Sequence, residues 1–304
     1  MVSVTKFSVN LEFLTPVRLS LFTGNAFRGG FGRAFRRVSC SRPGNVAGCS
    51  SCDAKDGCVY FLSYENTQSH VGHSAPIRPM TLIPEFIGFG QTSEKEGLRK
   101  NLEILIVGTG TENYVPYIIH SLNQFGRSGV SSQDINKFRV LDAFCETHPA
   151  KMKVYDGNTG VINLKAVKEV NVIDIEPLKL RNGEFTVDFY TPYQAKTRVF
   201  PPDFETFVQA IRRRLIAYTN EYGNGERVPD TKCTGKIIKT ENVRRHTLYM
   251  HSSRSGKLVF PDCYTGKVTY KISRPSRNLK WILACANMIG CGPKASYGMG
   301  AVRL

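Results

Sequence analysis

The stretch DFETFVQAIRRRLIAYTN (203–220) decides the fold. Phe204, Phe207, Val208, Ile211, Leu215 and Ile216 recur at the spacing of a helix that buries one face, over 204–219. Asp203 stands where a carboxylate can cap its first turn. Gly223 and Gly225 stop it. Before it, Phe185–Tyr190 reads as a strand, and after it strand-like segments fall at 236–250, 257–261 and 264–273. Asn278–Met288 then reads as a second helix and Ala301–Leu304 as a short last strand. The order is strand, helix, strands, helix, strand.

The first half repeats that order. Phe7, Val9, Leu11, Phe13, Val17, Leu19 and Leu21 alternate as strand material over 5–22, broken by Pro16. A helix is predicted over 25–38, with Asn25 as cap and Ala26, Phe27, Gly30, Phe31, Ala34, Phe35 and Val38 as its apolar stripe. Gly29, Gly30 and Gly32 inside it each cost about 1 kcal/mol against alanine, which is tolerated where backbone approaches a neighbour closely. Asn101–Gly108 reads as a strand and Tyr114–Phe125 as a helix ended by Gly126–Gly129. Segments 136–146, 151–156 and 160–164 read as short strands. A boundary falls near 180–186. The expected fold is α+β: two tandem ferredoxin-like βαββαβ domains, 1–182 and 183–304, with a cysteine-rich insertion at 40–58 in the first.

The chain has 304 residues and is 41% hydrophobic, enough to bury a core in each half. Lysine and arginine outnumber aspartate and glutamate 41 to 25, a formal charge of +16. Residues 201–304 hold 18 Lys/Arg and 7 Asp/Glu, so +11 of the excess lies in the last third. Such asymmetry points to a polyanion footprint. No charged segment followed by an apolar run opens the chain, and no stretch reaches about 18 apolar residues. A membrane partner is not expected, and nine cysteines, an odd and crowded set, suit a reducing cytoplasm.

Cys40, Cys49, Cys52 and Cys58 make C-x8-C-x2-C-x5-C. Four thiolates at about 2.3 Å suit tetrahedral zinc, so a structural zinc site is expected there. Unconnected thiols and an iron–sulfur centre are the other readings. With no carboxylate or histidine among the four, a catalytic zinc with an open position is not expected.

Gly290, Gly292, Gly298 and Gly300 frame Pro293–Tyr297. The segment lacks the Gly-Lys-Ser/Thr of a phosphate loop and follows no first strand, so it is neither a nucleotide-triphosphate loop nor a dinucleotide fingerprint. Backbone N–H groups with Lys294 and Ser296 can meet phosphates, and Tyr297 can stack on a base; a tight structural hairpin is the plain alternative. Asn242–Arg254 holds His246 and His251 among Arg244, Arg245, Tyr249 and Arg254. Histidine can activate a 2′-hydroxyl or protonate a leaving 5′-oxygen near neutral pH, and a cation can stabilise the phosphorane, so RNA can be cut without metal. By pattern alone each histidine is more often a phosphate contact or a bystander. His70 and His73 read as bystanders or spare zinc donors, His120 as a packed or surface residue, and His148 carries no signal.

With these residues in view, the chain resembles the Cas6-type RAMP proteins, the CRISPR precursor-RNA processing endoribonucleases, in their cysteine-bearing long form. IGCGPKASYGMGAVRL (289–304) is similar to the family's glycine-rich signature. FVQAIRRRLIAY (207–218) and VRRHTLYMHSSRSGKLVFPDCYTGKVTY (243–270) resemble its second-domain helix and strands. GNAFRGGFGRAFRRVSC (24–40), CVYFLSYE (58–65) and SLNQFGRSGVSS (121–132) resemble the first domain of the long forms. The resemblance implies repeat RNA as partner, effector-complex subunits as further partners, and metal-independent cleavage to a 2′,3′-cyclic phosphate. RNA contacts are then expected from Arg28, Arg33, Arg36, Arg37, Arg212, Arg213, Arg244, Arg245, Arg254, Lys294, Ser296 and Tyr297. Many members place a catalytic histidine on or near the first helix; NAFRGGFGRAFRRV (25–38) has none. Catalysis is then expected from His246 and His251, assisted by Tyr249 and Lys257, and the runner-up is a non-catalytic RNA-binding subunit of a CRISPR effector complex. A DNA-binding zinc protein is a third reading, weakened because the cysteine loop lacks the histidines of a zinc finger.

Overall fold

A computed structural model describes residues 1–42, 48–66, 77–85, 92–93, 96–131, 135–194, 199–252 and 256–304, with backbone alone at 92–93 and 251–252. Two sequential domains of mixed α/β content are present: Ser3–Val170, and Asn171–Leu304 together with Met1–Val2.

In the first unit, β1 (Ser3–Phe13) is the middle strand. It pairs antiparallel with β3 (Arg99–Val107) on one side and β4 (Phe138–Cys145) on the other. β2 (Met80–Pro84) flanks β3, and β5 (Lys153–Asp156) flanks β4, giving the order β2-β3-β1-β4-β5. Phe7, Val9, Leu11 and Phe13 share the buried face of β1, as strand alternation requires. Phe27, Phe31 and Phe35 of α1 (Gly24–Ser39) and Ile118, Leu122 and Phe125 of α2 (Val115–Ser128) complete that core. Each such side chain gains about 1.5–3 kcal/mol by leaving water. A Cβ on Gly30 would lie 2.0 Å from the Phe125 ring, so this glycine lets α1 and α2 approach.

Three local expectations change here. α1 starts at Gly24 with Thr23 before it and no side-chain cap, so Asn25 sits inside the first turn. α2 runs past Gly126, whose missing Cβ admits the Phe138 carbonyl, and ends before Gly129 at φ 76°. Segment 160–164 makes only a bridge, Tyr155 to Ile162, before a short turn of helix at Leu164–Ala166.

The expected zinc site is overturned. Among the described residues no three His, Cys, Asp or Glu side chains gather to hold a metal ion, and Cys40, Cys49, Cys52 and Cys58 are free thiols. Their loop is held by other means. The Cys40 N–H closes α1 on the Arg36 carbonyl at 2.9 Å. Successive turns bond Cys52 N to Cys49 O, Lys55 N to Cys52 O and Cys58 N to Lys55 O, at 3.1–3.3 Å. Arg42 meets Asp53 at 3.1 Å. Cys49 and Cys58 pack against the hydrophobic core, and burial pushes the Cys49 thiol pKa up, disfavouring the thiolate a metal needs. His70 and His73 lie outside the described residues.

In the second unit, β6 (Glu184–Tyr193) leads to α3 (Phe204–Tyr222), capped as expected by Asp203, which accepts from the Thr206 N–H at 2.8 Å. β7 (Gly235–Ser252) and β8 (Gly256–Ile272) follow, then α4 (Arg277–Ile289). The sheet order is β7-β8-β6, all antiparallel. Segments 257–261 and 264–273, read separately from sequence, form one continuous strand. The last strand is reduced to one bridge, Arg303 to Asp188. Phe185, Val187, Phe189, Phe207, Ile211, Tyr270, Ile282 and Cys285 are buried in this core. β6 pairs with β8 only over Tyr264–Lys271, whereas β7 and β8 stay paired out to Ser252 and Gly256. Residues 246–252 and 256–263 therefore run on as a two-stranded ribbon. No helix of the described residues is long and apolar enough to cross a membrane.

Candidate nucleic-acid interface

The ribbon has two unlike faces because strand side chains alternate. On one, His246, Leu248 and Met250 are buried with Phe260 and Cys263. On the other, Arg245 is exposed and Tyr249 is 66% exposed. Lys257 places its ammonium 5.7 Å from the Tyr249 ring centre, and Val259 stands opposite Tyr249 in the ladder. The structure therefore brings Tyr249 and Lys257 together and sets His246 on the opposite face. His246 Nε2 lies 2.9 Å from the Thr265 hydroxyl. Burial, with the Arg244 charge beside it, lowers the His246 pKa. That keeps the ring neutral at neutral pH. His251 occupies the register position opposite Lys257; its side chain and the whole of Arg254 lie outside the described residues. Arg245 donates through Nε to Asp262 at 2.9 Å, which offsets part of its charge. Arg244 is exposed.

The glycine-rich loop packs beside this ribbon. Lys294 is exposed, has φ 67°, and carries its ammonium 5.3 Å from the Phe260 ring centre. Tyr297 is half-buried with its ring 5.9 Å from Phe260, and Ser296 is half-buried between them in sequence. A Cβ on Gly300 would lie 2.0 Å from the Cys291 carbonyl oxygen at a φ of 72°, so only glycine fits there. Exposed cations next to an exposed aromatic ring can meet phosphates and stack a base.

The remaining arginines divide by occupation. Arg213 is exposed, but Arg212 braces the chain beyond α3 through the Pro229 carbonyl at 2.9 Å and Asp230 at 3.6 Å. In the first unit, Arg33, Arg36 and Arg37 stand exposed on α1. Arg28 lies 4.9 Å over the Tyr64 ring and Arg36 6.0 Å over Tyr60, while the two rings stack at 5.4 Å. These cation–π contacts draw both guanidinium groups toward the stacked ring pair.

Sequence reasoning missed Tyr60, Tyr64, Phe260 and the special place of Arg214. Arg214 falls seven residues after Phe207, on the apolar stripe of α3, and that spacing is the signal that could have found it.

A family model described as the N-terminal domain of AF_1859 matches residues 2–167, and the AF_1859 C-terminal domain model matches residues 185–304. The chain belongs to the AF_1859 family. A family relative from Archaeoglobus fulgidus, described as an uncharacterised protein, is 32% identical over 303 residues, covering 99% of this chain and 97% of the relative. Among solved structures, a Cas6 product complex superposes with a TM-score of 0.55 at 16% identity over 98% of each chain. Thermus thermophilus Cas6 gives 0.54 at 15% identity, over 99% of this chain and 98% of that one. This chain thus has a Cas6-like fold along nearly its whole length.

Proposed function

We propose that this protein is a CRISPR precursor-RNA processing endoribonuclease that cuts within the repeat. The likeness to a Cas6 protein in a product complex, along both domains, carries this reading. The strand order of each unit supports a pair of ferredoxin-like domains divided near 182/183, since β6 opens at Glu184. In the reaction, a base takes the proton of the 2′-hydroxyl, whose oxygen attacks phosphorus. The 5′-oxygen leaves with a proton from an acid, giving a 2′,3′-cyclic phosphate and a 5′-hydroxyl. We assign the proton transfer to His251, with Lys257 offsetting the phosphorane charge and Tyr249 holding a base by stacking. Neutral, buried His246 then supports the ribbon from behind. Lys294, Ser296, Arg213 and Arg244 hold phosphates and Tyr297 stacks a base, while Arg33, Arg36 and Arg37 of α1 are the first unit's own phosphate contacts.

A second reading has its own observation. His246 is only 3% exposed, on the face of the ribbon away from Tyr249 and Lys257; this favours an RNA-binding subunit of a CRISPR effector complex that does not cut. Incubating the purified protein with repeat RNA from its own array in EDTA separates the two. Processing predicts a discrete cut, slowed at least ~100-fold by His251→Ala. Tight binding with no product selects the second reading, and no binding removes both.

A further inference from the structure

Arg214 is 6% exposed, yet it carries a full positive charge, since arginine stays protonated in proteins. No carboxylate of the described residues forms an ion pair with it. Its guanidinium instead donates to three backbone carbonyls: Nη1 to Ile289 at 2.6 Å, and Nη2 to Cys291 at 2.8 Å and Gly292 at 2.5 Å. Ile289 ends α4, where unsatisfied carbonyls and the helix dipole concentrate negative charge. Cys291 and Gly292 open the glycine-rich loop. A planar five-donor fork can hold carbonyls in several directions at once, which an ammonium cannot. The loop is built around that fork. A Cβ on Gly290 would lie 2.6 Å from Arg214 Nη1, and one on Gly300 would lie 3.6 Å from Nη2. The Cys291 N–H returns to the Gly300 carbonyl at 2.8 Å, closing the loop base.

We propose that Arg214 is the positioning residue of the glycine-rich loop, fixing the base from which Lys294 and Tyr297 meet RNA phosphate and base. This rests on the RNA-binding reading given above. Arg214 touches no RNA itself. By turning the loop's first carbonyls toward its own charge, it sets where Lys294 emerges beside Phe260. It also removes three carbonyl dipoles from the surface a phosphate would approach. Its neighbours Arg212 and Arg213 in the same basic run have different work, so the run RRR (212–214) contains a brace, an exposed cation and a buried clamp.

The test is a thermodynamic cycle on the full chain with a fluorescein-labelled RNA stem-loop. The variants are Arg214→Met, Arg214→Lys, Lys294→Ala and the doubles. Arg214→Met and Lys294→Ala should each weaken binding about 10-fold and lower the salt slope of log K by about one. In the double variant the two losses should not add, because they remove the same phosphate contact. Full additivity, or unchanged affinity in a folded Arg214→Met, overturns the proposal. If Arg214→Met does not fold, amide exchange decides with Arg214→Lys. Faster exchange confined to 290–300, with weaker RNA binding, supports the clamp; exchange unchanged there overturns it. Failure of the unaltered protein to bind the stem-loop instead removes the RNA-binding reading itself.

Discussion

The two units start from one plan and spend their glycines differently. In each, two helices cover one face of an antiparallel sheet, and the first strand pairs with the third. The first unit keeps its fourth strand, β4, at full length beside β1. Its glycines at 30 and 126 sit inside helices and bring backbone close to an aromatic ring or a carbonyl. The second unit reduces its fourth strand to the Arg303–Asp188 bridge and puts a glycine-rich loop where strand would have run. There Gly290, Gly292, Gly298 and Gly300 all adopt positive φ. It also lengthens its central hairpin into a ribbon with an exposed aromatic and cations. One unit is finished as a sheet; the other gives up pairing, and under the proposed function the groups it leaves exposed there meet RNA.

The largest expected effect tests that contrast directly. Gly300→Ala should lower stability by about 3 kcal/mol, because left-handed backbone and contact with the rigid Cys291 carbonyl act together. Gly30→Ala meets only the Phe125 ring, which can shift, and regains about 1 kcal/mol of helix propensity; a net loss of about 1–2 kcal/mol is expected. Urea midpoints measure both. Equal losses would erase the distinction between packing glycines and turn glycines.

Much of this was readable in advance, for physical reasons. α3 was legible because its apolar stripe and Asp203 cap are local signals, and local signals survive any tertiary context. The alternation of β1 was legible for the same reason. The cysteine loop was not. Spacing says which thiols can meet, but whether they do depends on the core, and here Cys49 and Cys58 lean on that core instead. The burial of His246 was also hidden, since Arg244, Arg245 and Tyr249 around it are polar or exposed. Only pairing with β8 shows which alternate face is covered. Arg214 had a legible position on the α3 stripe and an illegible role, because its three carbonyls lie some 75 residues away in sequence.

A smaller effect concerns the ribbon's exposed face. Tyr249→Ala should weaken RNA binding by about 1–3 kcal/mol, the worth of one base stacked on an aromatic ring. Its melting temperature should stay unchanged, as an exposed ring contributes little to the core. The same replacement at Phe260, whose ring is buried against Lys294 and Tyr297, should lower both. If Tyr249→Ala melts lower and binds RNA as before, the exposed face is structural and the contrast between units loses its functional half.

The smallest effect comes from His246. Its folded pKa is lowered, first by burial and then by Arg244. The unfolded ring takes a proton near its ordinary value of about 6.5. Above that pH neither state is protonated there, and the group is indifferent to pH. As pH falls below about 6.5, the unfolded chain binds a proton that the folded chain refuses. Stability therefore declines by at most about 1.4 kcal/mol per pH unit from this group, and the decline levels off once the lowered folded pKa is passed. His246→Gln keeps a partner for the Thr265 hydroxyl and removes the titration. Denaturant midpoints from pH 7.5 down to 5 should thus fall more steeply for the unaltered protein than for His246→Gln. Parallel curves would mean the ring accepts a proton in place, which returns it to the list of groups able to act as an acid on RNA.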